Sequence, residues 1–445
     1  MKWFVGALLL LLAALLLESS LLAYAMYVLL ALLLLSRWLA RSWIGSLQAR
    51  RNCKHVTAEI GERVPVELTI TNTGALPVPW VLAEDLLPQY ALGKRFPRIK
   101  IKGKRLQIAM LRAGSTLEMK YQIECLMRGY FQIGPVTLES GDLFGLHRRF
   151  RVLTEPTFLL VYPRIVPLLG YDIASRRPIG DVRLTHRLYE DPTRIAGVRP
   201  YEAGDPLNRV HWRATARTGA LHSKVHEPST LSGATVLLDF HQSGYYQQGE
   251  PFRSELAVTT AVSLANAIYE MGQQIGLATN GRDAVDRIKT EGWEQDPRTR
   301  QDARATAAMS EDNERLQPLL VETRRGVEQL QRIREMLARI EMTDGLTFAE
   351  LVSETISRLP RDATILAVLP EVSVESAIAL GNLRRAGLAV AVVLILLDDA
   401  PLERAYGRLV SEGIRDIRHL KSEEELPELC RRQVDRSSPY TFIVS

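Results

Sequence analysis

The chain predicts a multidomain protein: an N-terminal transmembrane helical hairpin, then a β-sandwich, then an α/β domain. Three observations carry this. Residues 4–35 are almost wholly apolar. Between about 64 and 161, apolar residues alternate with polar ones in short runs separated by Gly and Pro. After 231, short unbroken apolar runs alternate with helical patterns, the mark of a mainly parallel sheet covered on both faces. A chain of 445 residues has room for two or three such domains. The predicted boundaries are 1–40 for the hairpin, 50–165 for the sandwich, 166–230 for a linking segment and 231–445 for the α/β domain.

The apolar start runs from Trp3 to Leu17, meets Glu18-Ser19-Ser20, and resumes to Leu35. A cleaved signal peptide ending near Ala23-Tyr24-Ala25 should be followed by polar sequence, yet Met26–Leu35 stays apolar. One long span would bury Glu18 near mid-membrane, which is costly. Two short spans place Glu18-Ser19-Ser20 in an extracytoplasmic turn, with Trp3 and Trp38 at the interfaces. Lys2 at one end and Arg37 and Arg41 at the other then set both ends, and the rest of the chain, in the cytoplasm.

Formal net charge is +5 and the pI about 9.0. Much of the local excess, Arg37, Arg41, Arg50, Arg51 and Lys54, follows the apolar segment. Anionic lipid explains it better than nucleic acid, which is not expected as a partner. Cys53, Cys125 and Cys430 are scattered and odd in number, which argues against a disulfide framework or a zinc site.

In the sandwich region VPVELTITNTG sets Val64, Val66, Leu68 and Ile70 on one face and ends in a turn signal. Further strands are predicted at 79–83, 105–111, 116–125, 129–138 and 157–161. This patterning fits a small immunoglobulin-like sandwich, a spacer or binding module. GERVPVELTITNTGALPVPW, EDLLP, RGYFQIGPVTLESGDLFGLHRRF and VYPRIVPL, in that order, resemble the bacterial membrane-anchored family of domain of unknown function 58. The resemblance covers nearly the whole chain. It implies an N-terminal hairpin, a β-sandwich, a signature segment and a von Willebrand factor A-like domain, on the bacterial inner membrane.

The signature carried by that resemblance comprises Arg199, Tyr201, Gly204, Asp205, Arg209, Trp212 and Thr215-Ala216-Arg217, with Thr215 where serine is commoner. Local chemistry supports a defined structure here. Asp205 is a good N-cap, Pro206 a good first helical residue and Gly219 a good terminator. Arg209, Arg213 and Arg217 then recur every four residues on one face. Such a ladder either grips phosphate or an acidic partner, or pairs with Glu202, Asp205 and other nearby carboxylates. Trp212 is expected as a packing anchor. LHSKVHE alternates like a strand, which holds His222 and His226 about 13 Å apart, too far for one metal.

In the α/β region the apolar runs are 234–240, 274–280, 363–370 and 388–396, with TFIVS at the C-terminus as a further candidate. Residues 281–316 form a charged insertion, expected as a loop, and a helical pattern returns from Arg315 to Ile340. Asp239-Phe240-His241-Gln242-Ser243 follows the first run. The resemblance implies an Mg²⁺ site there, an Asp-x-Ser-x-Ser motif completed by a threonine, for which Thr347 stands. The site is degenerate: His241 replaces the middle serine, and Pro370-Glu371 stands where Asp-Gly should be. The metal candidates are therefore Asp239, Ser243 and Thr347, and no cofactor beyond Mg²⁺ is suggested.

No P-loop, GxGxxG turn, GxSxG elbow or HExxH is present, so no catalytic residue is assigned and the chain is not expected to be an enzyme. The leading expectation is a membrane-anchored scaffold or adaptor that binds other proteins. The resemblance implies a MoxR-type AAA+ ATPase as partner, in protein or cell-envelope assembly. Two alternatives are a divalent-metal-dependent ligand-binding receptor using Asp239, Ser243 and Thr347, and an envelope-associated hydrolase.

Overall fold

A computed structural model describes residues 2–17, 20–53, 56–93, 95–142, 147–169, 190–202, 210–228, 233–245, 249–291, 316–360 and 363–430. The chain divides into two compact units, the first built mainly on Met1–Arg164 and the second on Ile165–Arg282 and Glu341–Ser445.

Two apolar helices open the first unit, α1 (Lys2–Leu16) and α2 (Ser20–Gly45). They pack on each other, with Ala7, Ala14 and Ala23 buried while most of their leucines are exposed. Small residues let helices approach closely. Helix α2 has 26 residues and is long and apolar enough to cross a membrane. Helix α1 is shorter, 15 residues or about 22 Å, against a hydrocarbon core of about 30 Å. The helix extends five residues past the expected boundary at 40 because Trp43 is held in the sandwich core, with Leu39 packed against it.

Eleven strands follow: β1 (Leu47–Cys53), β2 (Thr57–Glu59), β3 (Arg63–Asn72), β4 (Val78–Asp85), β5 (Ile99–Gly103), β6 (Leu106–Leu111), β7 (Thr116–Cys125), β8 (Gly129–Ile133), β9 (Val136–Gly141), β10 (Arg148–Val152) and β11 (Thr157–Tyr162). One sheet has the order β1-β3-β7-β5 and a second β10-β9-β4-β6. A third, β2-β11-β8, shares a core with the first: Ala58, Phe131 and Leu159 pack with Val64, Val66 and Tyr121. The alternation predicted for β3 is realised in full: Val64, Val66, Leu68 and Ile70 are all buried. Leu68 and Ile70 pack against Val81, Ala83 and Leu138 from the second sheet. The single run expected at 129–138 is two strands, divided at Gly134. There φ is +86° and the Arg51 guanidinium lies where a Cβ would stand.

That guanidinium is the centre of a buried polar knot. It donates to both Asp85 carboxylate oxygens, at 3.1 and 2.5 Å, and to the Ile133 carbonyl. The Tyr121 hydroxyl donates to Asp85 at 2.7 Å. The strands β1, β4 and β7 are thereby tied through one carboxylate. Burial, with the Asp85 charge beside it, holds the Tyr121 phenol well above its usual range.

In the second unit, β12 (Glu190–Pro200) and β13 (His222–Pro228) form an antiparallel pair, with α3 (Trp212–Thr218) just before β13. The main sheet contains β14 (Gly233–Leu238), β15 (Gln274–Thr279), β17 (Leu319–Arg324), β19 (Thr364–Leu369), β20 (Ala389–Ile395) and β21 (Asp416–Leu420). Its order is β17-β15-β14-β19-β20-β21, parallel except for β17 at the edge. Two-residue strands β16 (Arg282–Asp283) and β18 (Ile340–Glu341) pair with each other. The helices of this unit are α4 (Phe252–Glu270), the start of α6 (Val327–Arg339), α7 (Phe348–Thr355), α8 (Val374–Arg385) and α9 (Asp399–Ser411); α5 (Ala284–Glu291) and the end of α6 are counted with the first unit. Helices α7, α8 and α9 share one core with Leu237, Ala367 and Val392, while α4 packs on β14, β15, β19 and β20.

Two expectations are corrected here. The helical pattern from Arg315 begins instead with strand β17, because Leu319–Arg324 can complete the sheet edge beside β15. The charged insertion opens with ordered elements, β16 and α5, rather than a loop; Ala284 is buried and Val285 N–H is capped by Asp283. The remainder, 292–315, and the C-terminal TFIVS lie outside the described residues.

Candidate functional site

Strand order reverses between β14 and β19, and in such sheets ligands bind beyond the carboxyl ends of the strands at that point. Asp239 follows β14 and Pro370-Glu371 follows β19. The structure brings two of the three metal candidates close together and ties the third to them through its loop. Asp239 Oδ1 accepts from Asn280 Nδ2 at 2.8 Å and from the His241 N–H at 3.2 Å. The same Asn280 amide donates to the Leu346 carbonyl at 2.9 Å, next to Thr347. Its oxygen accepts the Phe240 N–H at 2.6 Å. Asn280 thus clamps the end of β14, the end of β15 and the loop before α7.

Each candidate oxygen already has work inside the chain. Ser243 Oγ lies 2.7 Å from His241 Nδ1, which also accepts the Ser243 N–H and so caps a short turn. Thr347 forms a capping box for α7: its hydroxyl and N–H both donate to Glu350 Oε2 at 2.8 Å, and its oxygen accepts the Glu350 N–H. These bonds hold the Glu350 carboxyl below its usual range. Asp239 is 7% exposed, and burial pushes its carboxyl pKa up despite the hydrogen bonds from Asn280 and His241. Gly244 lies against Pro370, where a Cβ would come within 2.7 Å of the ring, and Tyr245 donates its hydroxyl to the Asp239 carbonyl. Hydroxyls that donate hydrogen bonds keep lone pairs, so these bonds do not bar a cation. Asp239 is, however, the one carboxylate of the set, and among the described residues no group of three or more His, Cys, Asp or Glu gathers that could hold a metal.

Sequence reasoning missed Asn280, Tyr245 and Arg253. Arg253, 4% exposed, donates to the carbonyls of Pro370 and Ile395, so it ties the ends of β19 and β20. Only Asn280 left a signal, as the polar residue ending the apolar run QIGLATN.

The signature segment differs from its expected form. Gly204, Asp205, Pro206 and Arg209 lie outside the described residues. The described helix, α3, begins at Trp212 and is capped by His211, whose Nδ1 accepts the Ala214 N–H at 3.0 Å. It ends, as predicted, at Gly219 in the left-handed conformation. Tyr201 N–H donates to the Leu221 carbonyl, and His211 N–H to the His222 carbonyl, so both flanks are pinned to the start of β13. His222 and His226 lie on a strand as expected. Arg199 pairs with Glu202 at 3.3 Å. Trp212 is 69% exposed, which corrects the packing-anchor expectation: α3 buries none of its residues. Arg213 and Arg217 are exposed beside it.

Residues 197–312, which include α3 and Asp239, match a family model described as Protein of unknown function DUF58. The uncharacterized protein YeaD of Bacillus subtilis (strain 168) is 24% identical over 261 residues, 58% of this chain and 62% of that protein. The match thus spans about three-fifths of that relative's length. Among solved structures, proximal thread matrix protein 1 from mussel byssus aligns over 44% of this chain and 46% of its own, at 9% identity and a TM-score of 0.29. The CARDB domain of a Pyrococcus furiosus protein aligns over 26% of this chain and 86% of its own, at 12% identity and a TM-score of 0.17. Scores this low carry no argument.

Proposed function

We propose that this chain is a membrane-anchored, non-enzymatic adaptor that binds protein partners, among them a MoxR-type AAA+ ATPase, in protein or cell-envelope assembly. One observation carries the reading: α3 holds an exposed tryptophan beside two exposed arginines inside the stretch that the family model matches. Trp and Arg are the residues that most often dominate the energetics of protein interfaces. A large aromatic side chain left in water is otherwise a cost without return. The short helix is fixed at both ends, by His211 and Gly219, so the patch is presented in one geometry. Helix α2 supplies the anchor, and the positive residues after it set the soluble units in the cytoplasm. The α/β sheet, with Asp239 at its strand-order reversal, supports reading the second unit as von Willebrand factor A-like, and the packed antiparallel sheets support an immunoglobulin-like first unit.

The test is co-purification from membranes under several nucleotide conditions. Wild-type chain should recover the ATPase. Trp212→Ala and the Arg213→Glu/Arg217→Glu pair should each lower recovery on the order of tenfold or more. Wild-type preparations that recover no ATPase would count against this partner. Variants that recover as much as wild type would remove α3 as the binding surface.

A further inference from the structure

We infer that the outer face of the β6 edge docks on an anionic lipid surface, so that the sandwich lies against the bilayer rather than standing off from it. This rests on the membrane-anchored reading of α2.

The charge distribution comes first. Residues 86–117 contain eight Lys and Arg and no Asp or Glu, more positive charge than the whole chain's surplus of +5. Of these, Lys100 and Lys102 lie on β5 in the other sheet, where Lys102 pairs with Glu124, while Lys104 and Arg112 are exposed and flank β6. Between them β6 breaks the usual sandwich rule. Leu106, Ile108 and Met110 point outward and are 50%, 69% and 63% exposed, while Leu111 is buried in the core. Three alternate apolar side chains on the water side of an edge strand are a liability that soluble domains avoid. The register extends the same face across the sheet: Ile108 lies opposite Leu82, Leu82 opposite Glu139, and Glu139 opposite Phe150. Phe150 and Val152 are exposed there too.

Apolar side chains bracketed by Lys104 and Arg112, with Glu84 and Glu139 of the same face neutralised by Arg105 and Arg148, match the headgroup region of an anionic leaflet. The apolar groups enter the acyl boundary while the cations meet lipid phosphates. The same charge opposes pairing of β6 with a second copy of itself.

Position supports this occupant. Ser46, the first residue past α2, accepts through its carbonyl from Thr73 Oγ1 at 2.7 Å and donates its hydroxyl to Asn72 at 3.1 Å. The Asn72 amide in turn donates to the carbonyls of Leu111 and Arg112. The end of β6 is therefore bonded to the root of the helix. From Arg37 to Gly45 the helix rises only about 12 Å, so the root stays near the headgroups. The strip from Leu111 back to Leu106 adds about 17 Å, within reach of that surface by tilting.

Spin labels test it on the full chain in nanodiscs, in a Cys53→Ser background. Labels go at Ile108→Cys, at Lys120→Cys on the other sheet, and at Leu29→Cys in α2. In discs with anionic lipid, the label at 108 should collide more with oxygen than with a water-soluble nickel chelate, while the label at 120 shows the reverse. Replacing Lys104 and Arg112 by Gln should shift 108 toward water, on the order of fivefold in docked population per cation removed. A label at 108 that is as open to nickel as 120 in every disc overturns the proposal. So does one shielded from both reagents in discs and in detergent alike, which would mean that a protein strand covers β6. A water-exposed label at Leu29 would instead show that the membrane-spanning reading itself has failed.

Discussion

Asp239 is a carboxylate held at the end of a fully buried strand, with one oxygen hydrogen-bonded twice and little solvent to stabilise its charge. Burial raises its pKa above the unfolded value. Such a group adds stability at low pH, below its ordinary range, and that stability is lost as pH climbs through the folded pKa. Asp239→Asn keeps an acceptor at Oδ1 and removes the charge. Its melting temperature should exceed wild type at neutral pH, by about 2–4 °C for each kcal/mol relieved, and the gap should close on acidification. A lower melting temperature at neutral pH would show that the charge is matched by a partner, as a metal site requires. The residues of this cluster were half legible. Asp239 stands out after an apolar run, but Asn280 is 41 positions away and its role depends on which strands are neighbours. Trp212 was misjudged for a similar reason: large aromatics are usually buried, and only the brevity of α3 leaves this one in water.

The strands and helices were read best where their period was strong and both faces mattered. β3 and the four inner parallel strands fall within a residue or two of their predicted positions, because burial on the sheet dictates their pattern. β21, the polar DIRHL, was missed since an edge strand needs little apolar sequence. The start of α3 was set too early because Asp205-Pro206 is a strong start signal and His211 is an unusual cap. The element-level tie at Asp85 had no sequence signature at all, since it joins Arg51 on β1, Asp85 on β4 and Tyr121 on β7. Asp85→Ala would leave the Arg51 guanidinium, 4% exposed, without its carboxylate. The loss should be about 3–5 kcal/mol, seen as a lower denaturant midpoint in detergent. The Arg51→Met/Asp85→Leu pair should lose less than Asp85→Ala, because no uncompensated charge remains. Equal losses would mean that packing rather than charge carries the effect.

For the whole molecule, the order of apolar helices, antiparallel sheets and α/β sheet was legible from the changes in composition, whereas the grouping of Asp283–Asn313 and Arg334–Ile340 with the first unit was not. The expected membrane topology follows from Lys2, Arg37 and Arg41, which flank the apolar segment. A reporter fused after Leu47 should be active only if it is of the kind that works in the cytoplasm, and alkaline washing should leave the chain in the membrane pellet. An active periplasmic reporter at that point would invert the topology.

Helix α2 runs unbroken from Ser20 to Gly45, ends with Trp43 locked in the sandwich core, and has its last carbonyls held by Arg151. No glycine- or proline-rich tether separates anchor from domain. In the proposed membrane-bound state the helix is therefore a crank shaft: torque applied to the sandwich by a partner turns the helix within the lipid, and bilayer tension is felt in the β-core.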